Sequence, residues 1–356
     1  MRRLAGMLLA VVLLLSVFVP AAAAEPAQTL FTDWEEIQNQ TAASVLIQLG
    51  LISGYADGSF RPAEQIRRDE IAKLIAFVCS DAPGAQQAAP FADLTGSWAA
   101  DYIAFCVERG IISAQGSLFR PAEPVTVREL AKMLLVVLGE DDARYTGSAW
   151  QENVDADAGS YGIYSGVQAA RETPVTRDDA CRMVLNAMLC PAVADASRTD
   201  AMRYALDELM NPKTYLETRF GLVRYSGVLT ANETANLQEP GKRLPAGVSH
   251  LAGHREFQVS TGEELLGRSL EIFMKDGRVV CICPSAGDFC ESGLSVSRLL
   301  RLLDAGKYSV SDGTEVYVDY EPASQEALAE LADTDAAVRI VDRESDGVLD
   351  AIFVNS

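Results

Sequence analysis

The chain has 356 residues, of which 49% are hydrophobic, so it is long enough for two or three domains with separate cores. Its formal net charge is −20, and a surface this acidic repels the phosphates of nucleic acid. Composition therefore argues against nucleic-acid binding, and any anionic partner must be held by a local basic pocket.

The N-terminus has the pattern of a secretory signal peptide. Met1-Arg2-Arg3 is positively charged, residues 4–19 form an apolar run, and Ala22-Ala23-Ala24 supplies small residues for cleavage after about Ala24. The apolar run is short for a bilayer span, and no later segment approaches the length that a span needs. The sequence thus predicts an exported protein that is soluble once processed, with no membrane span.

Two copies of one pattern follow the signal peptide. The matching segments are 31–33 with 91–93, 50–53 with 110–113, and 60–64 with 119–123. In each copy a helix ends at a glycine, Gly50 or Gly110, and a turn-rich loop leads to a second helix, predicted over 69–78 and 128–138. Each copy is a helix-loop-helix unit that is too small to bury its apolar face alone.

A third, degenerate copy is visible in Pro174-Val175-Thr176-Arg177-Asp178-Asp179 and the helical run 180–189. Trp150 is a candidate counterpart of Trp98, and the Phe-Arg-Pro loop is missing. Three units that pack around a shared axis would close a core.

These residues resemble the S-layer homology family, whose repeats run Phe-x-Asp, Trp, Gly-Ile-Ile-x-Gly, Asp-Gly-x-Phe-x-Pro and Ile-Thr-Arg-Ala-Glu. The resemblance covers residues 29 to about 190, strongly for two copies and weakly for the third. It implies a three-pronged helical module that binds secondary cell-wall polysaccharide, commonly through pyruvylated sugars.

Each unit carries an arginine in the first turn of its second helix, at Arg68, Arg128 or Arg177. We expect free backbone N–H groups and the positive end of the helix dipole beside each guanidinium, which together suit a carboxylate. Thr126 and Glu129 also form a capping-box pattern that simply starts a helix, and both interpretations can hold. The second copy shifts its arginine by one place, so we expect either that the sites differ in strength or that one of them is inactive.

Aromatic and acidic positions complete the candidate site. Trp98 is interpreted either as a platform for a sugar ring or as a core residue; the first copy has Gln38 there, with Trp34 as a candidate substitute. The predicted polysaccharide-binding residues are Arg68, Glu70, Asp93, Trp98, Arg128, Glu129, Arg177 and Asp179. We expect no catalytic residue, metal or cofactor.

The pattern changes after the third copy. Residues 200–209 are predicted as a linking helix, and alternating β-rich runs begin near Gly221. The strand candidates are 225–230, 256–260, 270–274, 279–283, 314–320, 338–341 and 349–354, with short helices at 296–303 and 324–331. One or two small barrels or sheets are expected.

The predicted domains are the signal peptide (1–24), three units (25–88, 89–146 and 147–198), a linker helix (199–220) and a β-rich domain (221–356). The fold class is multidomain α+β: three helix-loop-helix units in a pseudo-threefold helical module, followed by a β-rich barrel or sheet region.

Cysteines and histidines leave several alternatives. The seven cysteines give no disulfide framework, but a three-thiolate site, a Cys281–Cys290 disulfide or a Cys283–Cys290 disulfide is conceivable. His250 and His254 are interpreted as loop residues, and the oxygen-rich segment 342–350 as a hairpin turn, in preference to metal sites.

Two functional hypotheses share the same anchor. The first is non-covalent anchoring to the wall of a Gram-positive-type bacterium, through an anionic wall polysaccharide, as an S-layer or S-layer-associated component that could self-associate. The alternative is a surface adhesin whose β-rich domain binds a separate ligand. An enzyme is not expected, because the sequence has no nucleophile elbow, no phosphate-binding glycine loop and no histidine patterned with a serine or cysteine nucleophile.

Overall fold

A computed structural model describes residues 31–114, 116–195 and 197–355, so the predicted signal peptide lies outside the described residues. Within these ranges the helices are α1 (Gln40–Gln48), α2 (Arg68–Cys79), α3 (Ala100–Glu108), α4 (Val127–Val137), α5 (Trp150–Ser160), α6 (Arg177–Met188), α7 (Tyr215–Phe220), α8 (Val296–Asp304) and α9 (Ala327–Glu330). The strands are β1 (Leu222–Ala231), β2 (Ser249–Leu251), β3 (Glu256–Phe257), β4 (Ser269–Lys275), β5 (Arg278–Pro284), β6 (Phe289–Ser295), β7 (Ser309–Val318), β8 (Glu321–Ala323), β9 (Ala337–Asp342) and β10 (Val348–Asn355).

The first six helices form three pairs around one core. The second helix of each pair turns its apolar side inward, and Ile71, Leu130 and Val184 are fully buried there. Gly50 and Gly110 have φ values of 69° and 70°, the left-handed conformation that lets a chain leave a helix. The helix ends predicted at these two glycines are confirmed.

The three pairs meet in a closed ring of backbone hydrogen bonds. Ile66 N–H donates to Val175 O at 3.1 Å, Val175 N–H donates to Val125 O at 2.8 Å, and Val125 N–H donates to Ile66 O at 3.1 Å. All three residues are buried, and each lies just before the second helix of its pair. The ring gives the three pairs equivalent positions about a common centre.

The segment between the helical units and the sheets differs from the prediction. The helix expected over residues 200–209 is wrong, because only a single 3₁₀ turn forms, at Ala201–Arg203. The Asp207 carboxylate accepts the backbone N–H groups of Leu209 and Asn211, which closes a turn in place of a helix. The helix in this region of the chain is α7, which follows the turn in the sequence.

The β-rich region consists of two five-stranded sheets. The first has the order β3-β2-β1-β4-β5 and the second β6-β9-β10-β7-β8, with one parallel pair, β10 and β7. Each strand candidate from the sequence overlaps a strand, whereas β2, β6 and β8 were not anticipated. The prediction of sheets is confirmed, while the linear strand orders do not support the barrel alternative.

The first sheet packs on the helical units. Phe273 of β4 and two cysteines of β5 belong to the helical core, and Thr41 of α1 donates to Pro284 O at 3.0 Å. None of the helices in the described ranges combines the length and the apolar character of a membrane span.

Several local alternatives from the sequence are resolved. Cys290 lies on β6 in the second sheet, in a different cluster from Cys281 and Cys283, and all seven cysteines are free thiols. Neither of the disulfides with Cys290 that the sequence left open is therefore formed. The Asp342 carboxylate accepts the backbone N–H groups of Glu344, Asp346 and Gly347, which makes the predicted hairpin turn between β9 and β10.

Candidate functional site

Two grooves lie between neighbouring helix pairs. The first groove has a volume of about 200 Å³ and is lined by residues 50–55, Ile66, Glu70, Lys73, Leu74, Trp98 and Arg177. The second groove has a volume of about 500 Å³ and is lined by residues 111–113, Arg68, Glu129, Lys132, Met133, 145–147 and Trp150.

The two grooves are built from equivalent positions of different pairs. In each groove, the loop and the second helix of one pair form the base. The next pair along the chain supplies the tryptophan, and the remaining pair supplies the arginine. The second helix contributes an acid and a lysine three residues apart, which places them side by side on one face of the helix. Such agreement indicates two copies of one site.

Arg177 provides a positive charge in the first groove. It is 5% exposed, and its Nε and Nη2 donate to Phe60 O at 2.9 Å and Ser53 O at 2.8 Å. The guanidinium carbon also lies 4.9 Å from the ring centre of Tyr55. Within the described part of the chain, no carboxylate lies at salt-bridge distance from Arg177. Its charge is balanced by two carbonyl dipoles and by the rings of Tyr55 and Phe60.

Arg68 occupies the matching place in the second groove. Its Nε donates to Phe119 O at 3.0 Å, as Arg177 does to the equivalent phenylalanine. The difference is that Arg68 Nη1 also lies 3.0 Å from Glu129 Oε1. The Glu129 carboxylate therefore already offsets the positive charge of Arg68 in the second groove.

Arg128 is not brought into either groove. It is the second residue of α4, where Arg68 and Arg177 are the first residues of their helices, and this shift turns the side chain by about 100° around the helix axis. The guanidinium pairs with Asp155 at 2.7 Å and with Glu172 at 2.8 Å, and these carboxylates raise its pKa. Val127 stands where the other two helices have arginine.

The expectation of free N–H groups in the first turns is wrong. The first-residue N–H groups of α2, α4 and α6 donate to Glu123 O, Thr173 O and Glu64 O, each from a loop of a neighbouring pair, at 2.8–3.0 Å. These backbone N–H groups are therefore already hydrogen-bonded within the protein and are not free to bind an anion. The side chains of Arg68 and Arg177 remain as positively charged groups, one in each groove.

The acidic candidates have separate roles. Glu129 and Thr126 form the predicted capping box, with Glu129 Oε2 2.9 Å from Thr126 N. Glu70 accepts the N–H of Arg67 at 3.0 Å and faces the first groove. Asp179 lines neither groove, and burial raises its pKa.

Asp93 also lies outside both grooves. Its carboxylate accepts the backbone N–H groups of Phe119 at 2.8 Å and Arg120 at 2.7 Å, and the Phe119 contact lowers its pKa most. Asp33 holds the equivalent loop in the first unit in the same way. These contacts make Asp93 a support for the loop that follows α3.

Of the two interpretations of Trp98, the structure favours the platform, because this side chain is 54% exposed at the wall of the first groove. Trp150 holds the matching position in the second groove. Trp34 is 5% exposed and cannot present its ring to a ligand, so the substitution suggested for the first copy is wrong.

Sequence reasoning missed the two lysines, Lys73 and Lys132. Each follows a groove glutamate by three residues, and the recurrence of this Glu-x-x-Lys spacing in both copies was the signal available. Burial lowers the pKa of Lys132, which is partly enclosed in the second groove.

Comparison with known proteins agrees with this geometry. The family model of the S-layer homology domain matches residues 30–72 and 90–131, the first two units. The chain is 34% identical over 109 residues to cell surface glycoprotein 1 of Acetivibrio thermocellus, and 34% identical over 117 residues to an uncharacterized cell wall amidase of Bacillus anthracis.

These matches cover 28% and 31% of this chain but only 5% and 22% of the two relatives. The third helix pair has no match to the family model, so its status as a degenerate repeat stays a prediction. The S-layer homology domain indicates anchoring of surface proteins to the cell wall. The first two helical units of this chain are thus matched, one after the other, by the S-layer homology domain.

Proposed function

We propose that this protein attaches non-covalently to the cell wall by holding carboxylate-bearing sugars of a secondary wall polysaccharide in the first and second grooves. The observation that carries the proposal is Arg177, a nearly buried guanidinium with no carboxylate partner among the described residues, in a groove that also holds Lys73 and the exposed Trp98.

The groups in each groove suit a pyruvylated sugar. Arg177 has five N–H donors, of which Phe60 O and Ser53 O take two, so donors remain for a ligand carboxylate. Lys73 adds a second positive charge, and the indole of Trp98 offers an apolar face to a sugar ring. Local positive charge is needed because the protein as a whole is strongly acidic.

The three helix pairs are expected to give two binding sites of different strength. The first groove should bind more tightly than the second, because Glu129 competes with a ligand for Arg68. At the third position Asp155 and Glu172 already occupy Arg128, so we expect no anion site there. The protein would then serve as an S-layer or S-layer-associated component, with the two sheets carried on the anchor.

The test is a binding titration of the full chain with purified wall sacculi. Three preparations are compared: intact sacculi, sacculi whose ketal-linked pyruvate has been removed by mild acid, and sacculi stripped of polysaccharide with hydrofluoric acid. We expect binding to fall strongly in the second preparation and to vanish in the third. Binding that survives stripping would contradict the proposal.

Arg177→Ala should weaken binding to intact sacculi by about tenfold or more, the loss of one charge-assisted contact of about 1.5–3 kcal/mol. Arg120→Ala is the matched control, because Arg120 is an exposed arginine outside both grooves. Equal binding by the two variants would remove Arg177 from the site.

A further inference from the structure

Two thiols meet on one face of strand β5. Alternate side chains of a strand point to the same side, so Cys281 and Cys283 share a face while Ile282 points away. Their Sγ atoms are 3.1 Å apart, and both residues are only 7% exposed. Neither sulfur lines one of the grooves described above.

Helix α1 covers this pair with hydroxyl groups. Thr41 and Ser44 are both buried, and Thr41 Oγ1 donates to Pro284 O at the end of β5. Ser44 Oγ lies beside the two sulfurs, and no well-formed hydrogen bond reaches it. The thiols therefore lie beside two hydroxyl groups within the apolar core at the junction between the helical units and the first sheet.

Other cysteines have different surroundings. Cys106 Sγ donates to Ala72 O at 3.5 Å, and Cys190 Sγ donates to Tyr161 O at 3.2 Å, so each of these thiols is satisfied by a backbone carbonyl. Cys281 and Cys283 instead have each other as partners. Such a contact between two sulfurs is the arrangement from which a disulfide can form.

We propose that Cys281 and Cys283 are oxidised to a disulfide within β5 by exchange with external disulfides, either in the folded chain or before α1 docks on the sheet. The Cα atoms of residues two apart in a strand are separated by about 6.6 Å, which lies within the range that disulfides span, close to its upper end. Closure would move the sulfurs together by about 1 Å. A protein that functions outside the cytoplasm meets oxidants of this class.

The exchange balances in two steps. The thiolate of one cysteine attacks one sulfur of an external disulfide, a mixed disulfide forms, and one external thiolate leaves. The thiolate of the other cysteine then attacks the protein sulfur of the mixed disulfide, and the second external thiolate leaves. The two cysteines lose two electrons and two protons, and the external disulfide is reduced to two thiols.

The surroundings distinguish the two cysteines. The neighbouring Cys281 thiol lowers the pKa of Cys283, whereas the same contact together with burial raises the pKa of Cys281. The lower pKa favours the thiolate form at Cys283 over that at Cys281.

The test uses the full chain and glutathione redox buffers that range from fully reduced to fully oxidised. In one arm the folded protein is equilibrated with each buffer, and in the other the unfolded protein refolds in it, because α1 covers the sulfurs once the sheet has docked. Samples are quenched in acid, denatured, alkylated, digested and weighed by mass spectrometry. Cys281→Ser and Cys283→Ser are the variants, and Cys106→Ser is the control.

We expect the peptide that holds both cysteines to lose two alkyl labels and two hydrogen atoms as the buffer becomes oxidising, in the parent and in Cys106→Ser. Either serine variant should abolish this change, with circular dichroism as the check on folding. A disulfide found only after refolding would support the pairing and place its formation before docking. Full alkylation of both thiols in both arms, or a link from either one to Cys290, would overturn the proposal.

Discussion

Arg128 and Arg177 are the same residue type at nearly the same place in a helix, yet they have different surroundings. A shift of one residue sends Arg128 to two carboxylates and leaves Arg177 beside two carbonyls. What a guanidinium can bind is decided by the partners that it already has, because each carboxylate in place removes charge that a ligand would use.

Arg128→Ala tests this contrast. The substitution leaves Asp155 without its charged partner and with only the Tyr164 hydroxyl as a side-chain donor. We therefore expect the free energy of unfolding to fall by about 1–3 kcal/mol, measured by urea denaturation. Because Arg128 lines neither groove, binding to wall sacculi should stay within twofold of the parent. A loss of binding as large as that of Arg177→Ala would show that Arg128 contacts the ligand.

Trp98→Ala should weaken wall binding by about three- to tenfold, since aromatic stacking contributes about 0.5–1.5 kcal/mol beyond the buried area. The thermal midpoint should change little, because the side chain is largely exposed. Leu118→Ala is the matched control, since Leu118 is similarly exposed at 51% but lines neither groove. Equal binding by both variants would show that Trp98 has no part in the site.

The sequence predicted which residues belong to the candidate site better than it predicted the contacts that these residues make. Arg68, Arg177, Trp98 and the two glutamates could be found because their spacing repeats along the chain. The pairing of Arg128 with Asp155 could not, because Asp155 comes from another helix pair and has no equivalent in the first two copies. Similarly, the loop carbonyls that accept the N–H groups of the first helical turns come from other helix pairs, so no local sequence pattern identifies them.

The loops that follow the first helices are held by single carboxylates. Asp93 binds the N–H groups of Phe119 and Arg120, and Arg120 has a φ of 60°, a left-handed conformation that costs energy for a residue with a side chain. The carboxylate compensates this local strain by satisfying both donors. It is also an acid-sensitive contact.

Asp93→Asn tests this contact through pH. The Phe119 N–H group lowers the pKa of Asp93 in the folded state, so its stabilisation is complete above about pH 4 and is lost as pH falls through the folded pKa. The variant should have a lower thermal midpoint than the parent at pH 7 and a shallower decline below pH 4. Parallel declines in the two proteins would mean that Asp93 does not carry the acid sensitivity.

Helices and long strands could be predicted because their periodicity is local. The helix predicted over residues 200–209 failed because Asp207 captures the backbone donors that a helix would use. Strands β2 and β8 have three residues each, too few for an alternating pattern, and β6 contains Gly293 and several polar side chains. Their neighbours in the sheet, which no local pattern reveals, determine that they are extended.

In the whole molecule, the helical units and the first sheet share one core. Phe273 of β4 is fully buried among residues of the helix pairs. Other residues of the first sheet share a cluster with the second sheet, which also builds a cluster of its own around Leu299 and Val338. Shared burial couples the unfolding of the two regions, because neither can open without exposing the other's apolar surface.

Phe273 lies in the first sheet, but Phe273→Ala should also destabilise the helical units, because its side chain is part of their core. We expect a loss of about 3–5 kcal/mol, seen as a lower urea midpoint by tryptophan fluorescence. All three tryptophans lie between residues 34 and 150, so this signal reports only on the helical part. Leu299→Ala is the control and should leave that midpoint nearly unchanged. An unchanged midpoint in Phe273→Ala would show that the sheet unfolds independently.

The ring made by Ile66, Val125 and Val175 also limits how such a protein can grow. Linear arrays of helical repeats expose an interface at each end, where another repeat can add. Here the third pair donates a backbone hydrogen bond to the second, the second to the first and the first to the third, so the ring among these described residues has no open end. A longer relative would have to gain complete modules on new linkers, since a fourth pair would have nowhere to join.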